Sequence, residues 1–413
     1  MRASTAEHSP TGLAWRILAL VVVLQAVAIG VTTYCFTFLV TPWMAEFSLS
    51  RSEVLTAVTV HIFAAGAWGF VLGRMMDRYP SRYLLCGGIA AFTLGLILLS
   101  FATSMLMIIL IYALIMPVAI HLSGSLAAMV VVARNFDERR GLALGLTSMG
   151  TSIGGVVFPF VFARLLADFG WRETLLSIGV VAGVVLTPIC YLVLRHENNH
   201  VPAGKAGPRS EGTEDTPGVL LYLKRPDFWF YATAYLLAFV VFTSLQNNID
   251  PYAADLGIAP ADAAMIVSAY SLSMIFGKLV FGFLADRVDN RYLFSAASVT
   301  IAFSSFLLAT TTNHAGALMA FAIMGFASGA LMPLNGSIVA NVFGPKHMGR
   351  VMGLAMPIMT LCAFGPVLAG RLRDQTGSYQ LVFQGCVIIA LLAVPVILML
   401  KPRAVPPLPE GAA

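Results

Sequence analysis

Lys278 stands in a long apolar run, SAYSLSMIFGKLVFGFLA, with no other charge between Asp262 and Asp286. An ionisable group at such a place is costly to keep, and it marks a functional site by default. A cation held there attracts an anion, and a carboxylate is the natural partner; the alternative is a lysine whose stem carries its charge back to the surface. At helical spacing its face includes Val267, Ser268, Ser271, Met274 and Gly282, polar and small enough to border a cavity. Ser271 is therefore a second candidate for substrate contact. Two histidines, His61 and His121, also lie inside apolar runs. Either could carry a proton near neutral pH, or hydrogen-bond a neighbouring helix. Asp250 is a protonatable acid at the end of an apolar run, or a helix-terminal cap before Pro251. Asn247 and Asn335 could donate to a carboxylate or hydroxyl, and Thr33 and Tyr34 supply hydroxyls in the first apolar run.

The elements that must position these groups follow from composition. Of 413 residues, 58% are hydrophobic and 11% charged, and the mean hydropathy is +0.84. A soluble domain carries about 25% charged residues, so a soluble enzyme, a disordered chain and a nucleic-acid binder are all disfavoured. A transmembrane helix needs about 20 apolar residues. Apolar windows predict twelve helices near 15–41, 53–75, 83–101, 105–133, 141–163, 174–194, 228–249, 263–285, 292–310, 314–341, 350–370 and 379–400. We number them helix 1 to helix 12. The fold class is thus an all-α membrane protein. The polar, Gly- and Pro-rich stretch 195–226 reads as a linker between an N-terminal bundle (1–194) and a C-terminal bundle with a short tail (227–413).

Charge sets the expected orientation. With the N-terminus cytoplasmic, nineteen Lys and Arg fall on cytoplasmic segments, whereas Arg51, Arg164, Arg172, Arg371 and Arg373 fall on the other side. That asymmetry predicts a multi-pass protein of the cell inner membrane with both termini cytoplasmic. The five cysteines sit singly in apolar runs and read as core thiols. Neither a G-x-x-x-x-G-K-[ST] phosphate loop nor an HExxH pair is present, so no cofactor and no metal is implied. The expected partners are the lipid bilayer, a small organic anion and protons, with no nucleic acid, and the chain is expected to act as a monomer.

The chain also repeats itself at a shift of 207–209 residues. Gly73, Asp77, Arg78 and Arg82 after helix 2 match Gly282, Asp286, Arg287 and Arg291 after helix 8. Pro42 matches Pro251, Gly141 matches Gly349, and Arg164 matches Arg371. Two parallel six-helix bundles follow, related by pseudo-symmetry, with a central site expected at their interface. The eight loop residues form a candidate gate, in which acids and arginines at helix ends pair across the bundle interface. A solvated charged turn is the simpler alternative for any one loop.

Twelve spans in two halves, with G-x-x-x-D-R-x-x-x-R after helices 2 and 8, resemble the major facilitator superfamily over nearly the whole chain. Pro80 and Ser81 stand where that family usually has Gly and Arg. The run Phe136-Asp137-Glu138-Arg139-Arg140-Gly141-Leu142-Ala143-Leu144-Gly145-Leu146, with Tyr34-Cys35-Phe36 to Pro42, resembles the monocarboxylate transporter and oxalate/formate antiporter group. The resemblance implies secondary active transport, without enzymatic activity. It also implies that Lys278 occupies the place of a helix 8 cation, usually Arg, that binds the substrate carboxylate. The acid that proton-coupled members carry one turn earlier is replaced here by Ser273-Met274-Ile275, and a lysine late in helix 1 is missing. A histidine or Asp250 would then carry the proton, or the protein would exchange anions. Helix 11 has no cation between Arg350 and Arg371, which favours a monoanion, because one cation would leave a dianion uncompensated. Export of a hydrophobic drug or metabolite is the remaining alternative.

Overall fold

The structure, a computed structural model, describes residues 12–124, 127, 131, 140–195, 222–285, 287–344 and 348–401. Among these the chain is helical, with no strand. Helix 1 spans Gly12–Phe47, helix 2 Arg51–Arg78, helix 3 Ser81–Ser100 and helix 4 Met105–Ser123. Helices 5 and 6 are the two arms of Arg140–Leu194. Helix 7 is Pro226–Gln246 continued by Ile249–Asp255, helix 8 is Pro260–Ala285 and helix 9 is Asn290–Thr310. Helix 10 runs through His314–Phe343, helix 11 joins Met348–Met359 to Phe364–Thr376, and helix 12 is Gln380–Leu398.

Large apolar side chains such as Leu106, Val184, Phe303 and Ile388 lie more than half exposed on the outside. Such a surface is stable against hydrocarbon, not water. The sequence predicts a loop over 164–173, but the structure turns there within one residue. Gly170 has φ 79°, a left-handed backbone that glycine adopts without steric cost, and Thr174 Oγ1 donates back to its carbonyl at 2.6 Å. Other helices overrun their apolar windows because capping extends them: Ser50 and Glu53 form a reciprocal cap at the start of helix 2. Most of the expected linker, residues 196–221, lies outside the described residues.

The internal repeat is visible in the packing. Helix 1 packs on helix 5 as helix 7 packs on helix 11; helix 3 packs on helix 6 as helix 9 packs on helix 12; helix 2 packs on helix 4 as helix 8 packs on helix 10. The two halves meet along two symmetry-related seams, helix 2 with helix 11 and helix 5 with helix 8. These features make two pseudo-symmetric six-helix bundles. We call the end where helix 1 begins and helix 12 ends the near face, and the opposite end the far face.

Candidate functional site

Helix 8 is clasped from both sides where it carries Lys278. Behind it, Gly329 of helix 10 lies so close that a Cβ there would stand 2.7 Å from the Lys278 backbone nitrogen. In front, Gly155 of helix 5 faces Ser271, and a Cβ would stand 2.8 Å from both the Ser271 Cβ and the Tyr34 ring. Small residues allow this approach, as is usual at helix contacts in membranes. Ser268 Oγ donates to the Val156 carbonyl at 2.9 Å, fixing the register of the seam.

Within that seam the Lys278 ammonium donates to Thr151 Oγ1 at 2.9 Å and Ser152 Oγ at 2.8 Å. Both hydroxyls belong to helix 5, so the contact joins the two halves. Tyr34 reaches the same place from helix 1, its hydroxyl 3.7 Å from Met274 Sδ and beside the hydroxyls of Ser271 and Ser152. Ser271 itself donates to the Val267 carbonyl at 2.9 Å. Tyr34 ends a π-helical turn, Gly30–Tyr34, that interrupts helix 1; Thr33 lies in the same turn and is half-buried. Lys278, Tyr34 and Ser271 thus meet at one locus. Thr151 and Ser152 were not among the residues expected from sequence; their only signal was their place one turn before Gly155 in a small-residue stretch.

A second group of residues meets at the far face. Arg51, at the start of helix 2, donates to both oxygens of Asp255 at 3.1 Å, to Tyr379 Oη at 2.9 Å and to the Pro251 carbonyl at 3.5 Å. Arg373 of helix 11 holds the other side of Asp255 at 2.8 and 2.9 Å. The Ser52 amide donates to Asp374 at 3.0 Å, and Tyr379 donates to Asn248 at 2.7 Å. Thr37 of helix 1 accepts from the Asp250 amide at 2.9 Å, and lower down Thr59 Oγ1 donates to the Ala363 carbonyl at 2.7 Å. This network seals the far face across the two halves. Toward the near face, a Cβ at Gly282 or Gly353 would meet nothing within 4 Å.

The other candidates fall elsewhere. Asp250 is buried at the far-face end of helix 7, in the field of Arg51. His61 Nδ1 contacts the Tyr112 carbonyl at 3.1 Å, and His121 Nε2 contacts the Ala65 carbonyl at 2.8 Å, so each histidine joins helices 2 and 4. A ring nitrogen must donate to a carbonyl, which assigns the tautomers. Their neighbour Trp68 donates to the Ala113 carbonyl at 3.1 Å. That carbonyl faces Pro117, which has no N–H to give it, and helix 4 breaks at Ile115. Asn335 accepts a hydrogen bond from Tyr231 inside the C-terminal bundle, and Asn247 donates to the Thr243 carbonyl one turn back at 2.9 Å.

Of the loop residues, Asp286 lies outside the described residues, as do the side chains of Asp77 and Arg78 and the surroundings of Gly73. Arg82 stacks over Tyr83 and over Tyr191 at the end of helix 6. Its repeat counterpart Arg291 pairs with Asp289 and donates to the Leu400 carbonyl at 2.7 Å, at the end of helix 12. Tyr191 and Leu400 are themselves 209 residues apart, so in each half this arginine reaches the equivalent helix end, through a ring in one and a carbonyl in the other. Arg287 lies over the Phe283 ring, 3.9 Å from its centre. The Asp289 carboxyl is held below the usual carboxylate range by its hydrogen bonds to Arg291.

The family model described as Major Facilitator Superfamily matches residues 21–253 and 247–413. Monocarboxylate transporter 13 of Rattus norvegicus is 27% identical over 387 residues, covering 91% of this chain and 86% of its own. Agnestins efflux protein AgnL12 of Paecilomyces divaricatus is 27% identical over 347 residues, covering 82% and 76%. Among solved structures, a bacterial homologue of the human lysosomal transporter Spinster, inward-facing and unoccupied, matches with a TM-score of 0.70 at 15% identity, covering 95% of each chain.

Proposed function

The chain belongs to the major facilitator superfamily, and from that membership we propose that it carries a small organic monocarboxylate across the cell inner membrane by alternating access, coupled to protons. It is a transporter and not an enzyme. The observation that carries the substrate reading is Lys278, a cation at the seam between the halves whose ammonium meets the helix 5 hydroxyls. The charge asymmetry of the loops supports placing the near face in the cytoplasm. The sealed far face then makes this the state that loads or releases substrate inside.

In the cycle we propose, residues 1–194 and 227–413 rock about the seams, joined by 195–226. An anion enters from the near face and meets Lys278, with Tyr34, Thr33, Ser271, His121, Asn247 and Asn335 as the further binding candidates. The near face closes as the loops of Gly73, Asp77, Arg78 and Arg82 and of Gly282, Asp286, Arg287 and Arg291 engage the opposite half. Asp250, His121 and His61 are the proton carriers available. Asp250 shares the field of Arg51, so its charge state bears on the far-face network. For either histidine, the ring nitrogen not bonded to the carbonyl would take up the proton.

Replacing Lys278 by Gln tests the reading. Reconstituted vesicles should lose monocarboxylate uptake while the protein remains folded; undiminished uptake would remove the central claim. A second reading, export of a hydrophobic metabolite, draws support from the fungal efflux protein among the relatives, and anion exchange is the alternative to proton coupling. Under export, a deletion strain becomes sensitive to the metabolite and the Lys278→Gln protein restores resistance.

A further inference from the structure

Cys86 on helix 3 and Cys190 on helix 6 bring their sulfurs to 3.6 Å, and neither is in a disulfide. We propose that they form a reversible dithiol site, closed to a disulfide by hydrogen peroxide and reopened by a small thiol, with Arg82 as the cation beside the attacking sulfur. The site does not depend on what the protein carries.

The two helices run antiparallel and already stand in register for this bond. Gly183 lies against Thr93, where a Cβ would stand 2.8 Å from the threonine side chain, and Gly179 lies against Leu96, where it would stand 3.0 Å from the leucine Cβ. Small residues let the backbones approach this closely. Cys86 is seven residues before Thr93 and Cys190 seven after Gly183, so two turns along each helix carry the same line of contact to the cysteines. To bond, the sulfurs must come from 3.6 Å to about 2.05 Å, a movement within reach of side-chain rotation. A thiol is a weak donor and a weak acceptor, so hydrogen bonds do not hold either sulfur away from the other.

Exposure assigns the roles. Cys86 is half-buried and lies five residues from the near-face start of helix 3, whereas Cys190 is fully buried. Cys86 therefore meets the oxidant first and Cys190 resolves the product. The nucleophile in such a reaction is the thiolate. Arg82, one turn before Cys86, lies over Tyr83 and over Tyr191, the residue after Cys190, and its charge acts on the Cys86 sulfur. A guanidinium so placed stabilises the negative charge that the attacking sulfur carries.

The chemistry balances in two steps. Cys86 attacks one peroxide oxygen; an S–O bond forms, the O–O bond breaks, and the second oxygen leaves with the thiol proton as water. Cys86 is then a sulfenic acid. Cys190 attacks that sulfur; the S–S bond forms, the S–O bond breaks, and the departing hydroxide takes the Cys190 proton as water. Two thiols and one peroxide thus give one disulfide and two waters. Two molecules of a small thiol return the pair to thiols and become a disulfide themselves. At an end facing the cytoplasm such bonds are transient and redox-responsive. The C-terminal half has Ser295 and Met399 at the equivalent positions, 209 residues on, so the site belongs to one half.

The test uses the full-length protein in vesicles, reduced, freed of reductant and titrated with hydrogen peroxide. Remaining thiols are counted by maleimide labelling in denaturant, and peptides are mapped by mass spectrometry. Wild type should fall from five labels to three, with a peptide joining Cys86 to Cys190, and 2-mercaptoethanol should restore all five. Cys190→Ser should stop at a Cys86 sulfenic acid that dimedone traps, and Arg82→Gln should close about tenfold more slowly. An unchanged rate in Arg82→Gln overturns the part given to that arginine. No linked peptide at any peroxide concentration that leaves Cys35, Cys362 and Cys386 labelled overturns the site, as does a different pair linking at lower peroxide. Both of these outcomes are read on wild type, so they decide the matter even where a variant fails to fold.

Discussion

Arg51 and Asp255 face each other across the two halves in an end-on pair, each terminal guanidinium nitrogen 3.1 Å from one carboxylate oxygen. The Arg51 side chain is only 5% exposed and the Asp255 side chain 23%, so the pair is shielded from much of the solvent screening that weakens surface ion pairs. Asp255 also separates Arg51 from Arg373. Removing it would break the tie and leave two cations facing each other.

Asp255→Asn should therefore shift the protein toward states open at the far face. In a cysteine-free background, a cysteine placed at Thr37 should react with an impermeant maleimide on that side at least about tenfold faster, corresponding to about 1.4 kcal/mol. An unchanged labelling rate would mean that the pair does not hold the far face shut.

Gly155 should not tolerate a side chain. In Gly155→Val the first added carbon already meets Ser271 and Tyr34 at 2.8 Å. Overpacking of this kind costs about 1–3 kcal/mol. Forcing helix 5 from helix 8 should also separate Thr151 and Ser152 from Lys278. The expected outcome is a lowered unfolding temperature in detergent together with loss of uptake, and a variant with normal values for both would contradict the close packing.

Asp250→Asn should uncouple transport from the proton gradient. Uptake driven by an acid-outside gradient should fall to the level seen without a gradient, while substrate counterflow between equal pH compartments continues. Retained acid-driven accumulation would move the proton to His121 or His61.

Acid stability should depend in part on Asp289. Its carboxyl is held below the ordinary range, about 3.9, by hydrogen bonds to Arg291. A depressed folded-state value stabilises the protein above the unfolded value, and this contribution is lost as pH falls through the folded value. Asp289→Asn should therefore unfold at a lower temperature than wild type at pH 6, and the two curves should converge as the pH falls through the depressed folded value. Parallel curves over that range would show that the pair with Arg291 adds nothing.

Much of the fold was legible in the sequence because the bilayer leaves few choices. A segment that crosses hydrocarbon must satisfy its backbone internally, so apolar length alone marks a helix. The repeat of Gly73, Asp77 and Arg82 in Gly282, Asp286 and Arg291 divides those helices into two equivalent sets. Lys278 was legible for the same reason, as a charge where charges are costly. The reversal between helices 5 and 6 was legible as a polar break over 164–173, but its confinement to Gly170 was not, because one residue of left-handed backbone leaves no mark in composition.

What the sequence determined by itself is thus the set of spans, their pairing by repeat and the one cation away from their ends. The tertiary structure decided which groups meet. Thr151 and Ser152 look like ordinary small residues until helix 5 packs on helix 8, and Arg51 looks like a loop charge until Asp255 and Tyr379 arrive from the other half. Hydrophobic periodicity reports local burial along one helix. Contacts between residues 127 or 204 positions apart depend on how helices associate, which small residues, proline breaks and paired charges settle only once the bundle is assembled.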